Sequence, residues 1–121
     1  MFLKLNHQKL DIYIFSRAFV SECYKLTRHL PEHEKFGIIS QIRRAALSVH
    51  LNIAEGSSRK TEADRKRFYE ISRGSLVQID AALDVANDLG YLTNYDLSKV
   101  GEAMVKCFKI LTALILSKMK D

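Results

Sequence analysis

Apolar residues recur at steps of three and four positions through most of this chain, which is the spacing of one face of an α-helix. The chain has one proline, Pro31, and five glycines, so few residues interrupt the pattern. An amphipathic helix is stable in water mainly through packing against other helices, and 121 residues is a usual size for one domain. We therefore expect a single all-α domain over residues 1–121.

Helix-breaking and capping residues divide the chain into four predicted helices. Pro31 ends the first helix and suits the first turn of the second, and Gly56 is expected to form a left-handed cap after the second helix. Capping signals at Thr61 and Thr93 open the third and fourth helices. Short connections require antiparallel neighbours, so we expect an up-down-up-down four-helix bundle. The predicted helices span about residues 8–29, 32–55, 62–89 and 94–119.

The third and fourth helices each have one predicted inner face. On the third helix, this face leaves Tyr69 exposed and consists of Phe68, Ile71, Ser75, Ile79, Ala82, Ala86 and Leu89. On the fourth helix, the inner face consists of Leu97, Val100, Met104, Phe108, Leu111 and Ile115. Charged and polar residues lie opposite the second of these faces, so the fourth helix is expected to bury one side and expose the other.

The second helix is apolar on two sides. One sector fits the core and consists of Ile38, Ile39, Ile42, Ala45, Ala46, Val49 and Ile53. A bundle offers each helix one core-facing side, so the other sector either needs a different cover or stays solvated at the bundle edge. Self-association is the most economical cover. The candidate interface residues are Phe36, Leu47, His50, Leu51 and Ala54.

Cationic residues form two candidate nucleic-acid contacts. Arg43 and Arg44 either extend from the bundle, pair with carboxylates across a subunit boundary, or line a shared channel of a symmetric oligomer. The second group, which we call the basic turn, lies between the second and third helices. It is either a solvated helix start or a phosphate contact beside which Tyr69 stacks on a base. The basic turn consists of Arg59, Lys60, Arg65, Lys66 and Arg67.

Bulk charge is compatible with this hypothesis but is a weak signal. The formal net charge is +5, and residues 1–60 carry ten Lys or Arg against five Asp or Glu. A basic chain of this kind permits nucleic-acid binding, but many cytoplasmic proteins without that activity are equally basic.

Patterns typical of enzymes, metal sites and membrane proteins do not occur. The chain has no HExxH motif, no glycine-rich phosphate loop and no zinc-binding cysteine pattern. Cys23 and Cys107 are expected to be buried, reduced thiols of a cytoplasmic protein. Glu55 is expected to form a cross-subunit salt bridge rather than to act as an acid catalyst. No apolar run reaches about 18 residues, so we expect no membrane span, no catalytic activity and no cofactor.

Several motifs together resemble a known family, the four-helix-bundle proteins encoded in intervening sequences of bacterial 23S ribosomal RNA genes. The resemblance covers nearly the whole chain. Its most specific blocks are Ser40-Gln41-Ile42-Arg43-Arg44-Ala45-Ala46 and Asn52-Ile53-Ala54-Glu55-Gly56, and it continues through Gly74-Ser75-Leu76 and Leu89-Gly90-Tyr91-Leu92. That family is similar in turn to the accessory variability proteins of diversity-generating retroelements.

This resemblance implies an assembly and partners that the residue pattern alone does not. It implies a homopentameric barrel of helical bundles with a basic surface. The retroelement members of the wider group bind nucleic acid, RNA or DNA, and a partner reverse transcriptase, whereas many other members have no established biochemical role. The leading expectation is a non-enzymatic oligomeric scaffold that binds nucleic acid. The alternative is a protein-interaction module, such as a reverse-transcriptase accessory, with its basic surface facing an acidic partner.

Overall fold

Four α-helices make up most of the computed structural model, which describes residues 1–117. No strand occurs in that range, so the prediction of an all-helical chain with four helices is confirmed. The last predicted positions of the fourth helix, 118 and 119, lie outside the described residues. The helices are α1 (Asp11–His29), α2 (Ile38–Ser57), α3 (Glu62–Asp88) and α4 (Ser98–Leu116), with short 3-10 turns at Asn6–Lys9 and Glu32–Glu34.

Each helix packs against two neighbours around one apolar core. Helix α2 lies between α1 and α3, and α4 closes the bundle by packing against the same two helices. The α1–α2 side is therefore opposite the α3–α4 side. The largest fully buried side chains of the core come from all four helices: Phe19, Leu26, Ile42, Ile53, Leu76, Ile79 and Leu111.

Two helices begin later than predicted because carboxylates downstream of the expected caps occupy their N-termini. Helix α2 begins at Ile38, whose N–H donates to Glu34 Oε1 at 3.4 Å. Helix α4 begins at Ser98, whose N–H donates to Asp96 Oδ1 at 2.9 Å. The hydrogen bond from Ser98 also holds the pKa of Asp96 below its ordinary value.

Helices α2 and α3 share the most extensive contact in the bundle, and small residues bring them together. Ser72 Oγ donates to the carbonyl oxygen of Val49 at 2.7 Å, and Ser75 Oγ lies 2.9 Å from Ser48 Oγ. Short hydroxyl side chains allow close approach while satisfying each other and the backbone. We call this contact the α2–α3 seam. It consists of Ser48, Val49 and Gly56 on α2 and Tyr69, Ser72 and Ser75 on α3.

Gly56 is a seam residue, and its prediction as a left-handed cap is wrong. It lies inside α2, and Gly90, after α3, is the glycine with a left-handed backbone among the described residues (φ 77°). A methyl group on Gly56 would lie 2.8 Å from Cβ of Phe68 and 3.2 Å from the carbonyl oxygen of Arg65. The absence of a side chain therefore lets the start of α3 pack against the end of α2.

The seam rotates the start of α3 relative to its predicted orientation. Tyr69, predicted to be exposed, is only 3% exposed, and its hydroxyl lies 2.8 Å from Ser57 Oγ. Phe68 is half-buried, while Ile71 and Leu89, predicted to face inward, are exposed. The sequence pattern favoured the larger apolar residues, but the buried serines of the seam determine which face of α3 turns inward. A base-stacking function for Tyr69 is thus excluded in this structure.

Helix α4 buries one side, as predicted at Val100, Met104 and Leu111, but it also exposes apolar residues. Its buried positions are Val100, Met104, Cys107 and Leu111. Phe108 and Leu97, predicted to be buried, are exposed, and Val105 is 52% exposed. Together with α3, this helix forms a groove of about 330 Å³ lined by Leu76, Val77, Asp80, Met104, Val105, Phe108 and Lys109.

The two cysteines are buried and free, as predicted. Burial raises the pKa of the Cys23 thiol to about 12 and that of the Cys107 thiol to about 11. Both thiols are therefore protonated at neutral pH and contribute to the core as small apolar groups.

The substitution Gly56→Ala tests the seam. We expect it to destabilise the protein by about 1–3 kcal/mol, because the new methyl group forces α2 and α3 apart. Urea denaturation measures this change. The matched control is Gly74→Ala in α3, where an added methyl group meets no atom within 4 Å and should stabilise the helix by about 0.5–1 kcal/mol. Equal effects of the two substitutions would contradict close packing at Gly56.

Candidate nucleic-acid interface

The basic turn lies where α2 leads into α3, and carboxylates pair with several of its cations. Glu55 pairs with Arg59 of the same chain, and the expectation that it pairs across a subunit boundary stays a prediction. Ion pairs of these residues include Arg59–Glu55 at 2.6 Å, Lys66–Glu62 at 2.6 Å and Arg67–Asp64 at 3.9 Å.

Arg65 and Lys60 complete the basic turn. Arg65 Nη1 donates to the carbonyl oxygens of Arg59 and Lys60, at 3.1 and 2.8 Å. This side chain therefore closes the connection between the helices. The Lys60 side chain is exposed and has no ion pair within residues 1–117. Among the five predicted nucleic-acid contacts, Arg65 therefore stabilises the turn itself, whereas Lys60 is the cation most available to a ligand.

Phe68 orients two of the arginines. The guanidinium carbons of Arg59 and Arg67 each lie 4.9 Å from the centroid of the Phe68 ring. Stacking on an aromatic face restricts a guanidinium group but leaves its N–H groups free to donate at the edge. Sequence reasoning missed this arrangement because it assigned Phe68 to the core. An aromatic residue within a run of arginines was the available signal.

The ion pairs reduce the positive charge of the basic turn without cancelling it. Its five cations face three carboxylates, those of Glu55, Glu62 and Asp64. Ion pairs between exposed side chains, such as Arg59–Glu55 and Arg67–Asp64, are each worth at most about 1 kcal/mol, so a phosphate group can replace these carboxylate partners at small cost. The surface retains an excess of positive charge.

Charge is separated along the bundle axis. Residues 56–73 carry six Lys or Arg against three Asp or Glu, whereas residues 74–98 carry no Lys or Arg and four Asp. Helix α3 runs from one end of the bundle to the other, so Asp80, Asp84 and Asp88 lie at increasing distances from the basic turn. The side chains of these three residues are exposed. Along α3, a polyanion is therefore attracted to the N-terminal part and repelled from the C-terminal part.

Arg43 and Arg44 have different environments. Arg43 Nε donates to Thr27 Oγ1 at 2.8 Å, and its guanidinium carbon lies 4.7 Å from the centroid of the Tyr24 ring. It thus fastens α2 to α1. Arg44 is exposed and forms no ion pair within residues 1–117. Of this pair, Arg44 alone is placed to contact a ligand.

The five candidate interface residues divide into two groups. Phe36, Leu47 and Leu51 are exposed, at 91%, 40% and 58%. Ala54 is half-buried beside a recess that Leu3 and Leu5 of the N-terminal segment also line. The N-terminal segment therefore covers part of the apolar sector, which sequence reasoning did not anticipate.

His50, the fifth candidate, bonds within the subunit. Its Nδ1 lies 2.7 Å from Ser16 Oγ, and its ring centroid lies 4.6 Å from that of Tyr13. Partial burial, with the nearby charge of Arg17, lowers the pKa of the imidazole below its ordinary value. Ser16 is fully buried, so a substrate does not reach its hydroxyl, and the pair links α1 to α2 rather than forming a nucleophile.

Within residues 1–117, no group of three or more His, Cys, Asp or Glu side chains is arranged to hold a metal ion. None of the helices described there is long and apolar enough to cross a membrane.

The fold and surface together define a four-helix bundle with a basic turn at one end and apolar residues exposed on two sides. The sequence model of the 23S rRNA-intervening sequence protein family matches residues 8–113. The chain belongs to this family.

Structural comparison agrees with the fold. The chain is similar to a crystal structure of a protein of unknown function from the S23 ribosomal protein family of Bacteroides thetaiotaomicron, with a TM-score of 0.79 and 20% sequence identity. The similarity covers 88% of this chain and 99% of the other. At that identity the likeness concerns the fold alone. No curated protein matches the sequence.

Proposed function

We propose that this protein is a non-enzymatic helical scaffold that self-associates and binds nucleic acid through repeated copies of the basic turn. The observation that carries the proposal is the presence of apolar surfaces on two opposite sides of one small bundle. The basic turn is the part of the subunit that contacts the nucleic acid in this proposal.

Self-association is supported by the position and extent of the two apolar surfaces. The first, on the α1–α2 side, includes Phe36, Leu47 and Leu51. The second is the α3–α4 groove, where Val77 is 55% and Val105 52% exposed. Contiguous exposed apolar surface is typical of interaction sites. The two surfaces differ and lie on opposite sides, so the expected contact is head-to-tail, with the first surface of one subunit against the second surface of the next. Such contacts form a closed ring when the rotation from subunit to subunit adds up to a full turn.

In a ring, several copies of the basic turn bind the same nucleic acid and together raise its affinity. One copy offers few unpaired cations, and its affinity for a phosphate backbone is correspondingly low. Several copies on one assembly add their contacts, because each bound contact raises the effective concentration of the next. A ring of five is the expectation that the family resemblance carries.

A protein-interaction module is the second candidate, favoured by the carboxylates that pair with three of the basic-turn cations. Such pairing lowers the attraction for nucleic acid. In this alternative, a partner protein binds the α3–α4 groove and the exposed carboxylates of α3, those of Asp80, Asp84 and Asp88. A reverse transcriptase is the partner that the resemblance to retroelement accessory proteins implies.

Head-to-tail association predicts a complementation between two variants. Leu51→Asp damages the first apolar surface and Val105→Asp the second, and we expect each to weaken association at least about tenfold, because each places a charge in an apolar contact. Each variant retains the surface that the other lacks, so an equal mixture should form a dimer. Sedimentation velocity measures all three samples.

Asn87→Asp is the matched control, since it introduces the same charge at an exposed position and should leave association unchanged. A wild-type protein that sediments as a folded monomer at micromolar concentration would contradict the scaffold proposal. Failure of the mixture to associate would contradict the head-to-tail contact.

Nucleic-acid binding predicts a steep dependence on salt. The double variant Lys60→Gln/Arg67→Gln should bind single-stranded RNA and duplex DNA about tenfold more weakly at low salt, with a shallower salt dependence, because it removes two phosphate contacts. Filter binding over a salt series measures both quantities. Arg28→Gln/Lys35→Gln removes the same charge near the opposite end and should have a smaller effect.

Absence of any retention of RNA or DNA at low salt would contradict the nucleic-acid half of this proposal. Recovery of a protein partner from the native cell that survives nuclease treatment would then favour the interaction module.

A further inference from the structure

A polar groove runs along the outside of the α2–α3 contact, separate from the basic turn. Its volume is about 350 Å³, and six residues line it: Gln41, Arg44, Ala45, Ser48, Ser75 and Gln78. The α3–α4 groove, in contrast, is mainly apolar. The small side chains of Ala45, Ser48 and Ser75 form the floor, and the three long polar side chains form the walls.

The floor is polar and internally bonded. Asn52 Nδ2 donates to the carbonyl oxygen of Ser48 at 2.8 Å and to Ser48 Oγ at 3.0 Å. Ser48 Oγ also lies 2.9 Å from Ser75 Oγ. These bonds hold the two hydroxyls in place, so the floor neither collapses nor accepts an apolar side chain without cost.

The walls are free to bind a ligand. The side chains of Gln41, Arg44 and Gln78 are exposed and form no hydrogen bond or ion pair within residues 1–117. No carboxylate lines the groove, so its only formal charge is that of Arg44. This differs from the basic turn, where Arg59, Lys66 and Arg67 already have carboxylate partners.

From this arrangement we infer that the groove binds one nucleotide unit of a single-stranded nucleic acid. The planar guanidinium group of Arg44 matches a phosphate with two parallel hydrogen bonds. The amides of Gln41 and Gln78 each carry a donor and an acceptor, the combination that an unpaired base edge requires. A double helix does not present an unpaired base, so a single strand is the ligand. This inference rests on the proposed nucleic-acid binding and deepens it.

The groove and the basic turn lie on the same two helices, so the distance between them can be estimated. Arg44 and Arg59 are 15 positions apart along α2 and its C-terminal turn, or roughly 22 Å at the helical rise of about 1.5 Å per residue. A single strand of a few nucleotides spans this distance. One strand therefore contacts the groove and the basic turn of the same subunit.

The experiment measures binding of a fluorescein-labelled ten-nucleotide single strand, as RNA and as DNA, by fluorescence anisotropy over a salt series. Arg44→Gln should weaken binding about tenfold and reduce the slope of log Kd against log salt by about one. Gln78→Ala should weaken binding about threefold without changing that slope, because it removes hydrogen bonds and no charge. Arg28→Gln, the matched charge control, should change affinity less than twofold. Sedimentation of each variant confirms that assembly is unchanged.

The outcomes separate this inference from the proposed function. Binding that weakens with Lys60→Gln/Arg67→Gln but not with Arg44→Gln would overturn the groove and leave the basic turn as the ligand site. Equal effects of Arg44→Gln and Arg28→Gln, or no effect of Gln78→Ala, would also overturn it. Absence of binding by the unaltered protein would overturn both. Equal affinity for a ten-base-pair duplex would contradict the requirement for an unpaired base.

Discussion

The close contact between α2 and α3 is the constraint on which the rest of the structure depends. It requires small residues at defined positions: Gly56 where the helices join, and Ser48, Ser72 and Ser75 along their length. These serines bond to the backbone or to each other, so the contact is close without leaving a polar group unsatisfied. Both candidate ligand sites, the basic turn and the polar groove, are built on these two helices.

The same contact determines what remains exposed. By turning Tyr69 and the serines inward, it turns Phe68 toward Arg59 and Arg67 and leaves Ile71 at the surface. The early part of α3 thus presents cations oriented by an aromatic ring, and apolar residues stay accessible along the α3–α4 side. The proposed scaffold needs both features, and both follow from the packing of α2 against α3.

The prediction of four helices was possible from sequence because apolar spacing and helix punctuation are local signals. The exposed apolar side of α2 was recognised for the same reason, since Leu47 and Leu51 lie outside any single core-facing sector. The orientation of α3 was predicted correctly at Ser75, Ile79 and Ala86, which are buried, but not at Ile71 and Leu89, which are exposed, nor at Tyr69, which is buried. Periodicity weighs residues by apolarity, whereas the buried serines on α3 are chosen by their size and by the hydrogen bonds available across the contact.

The candidate site was predictable in composition but not in arrangement. The five cations of the basic turn can be recognised in the sequence. The carboxylates and the aromatic ring that they contact depend on the tertiary structure. Arg43 and Arg44 are adjacent in the chain, but a helical step of about 100° directs one onto Tyr24 and leaves the other at the polar groove. Likewise, the apolar groove that includes Val105 arises only when α3 and α4 pack side by side.

Hydrogen exchange measured residue by residue tests the central place of the α2–α3 contact most directly. If this contact is the most stable part of the fold, the amides of Val49, Ile53, Leu76 and Ile79 should exchange only through global unfolding, and those of α4 should exchange sooner through partial opening. Amides of α1 or α4 that outlast those of α2 and α3 would contradict the account.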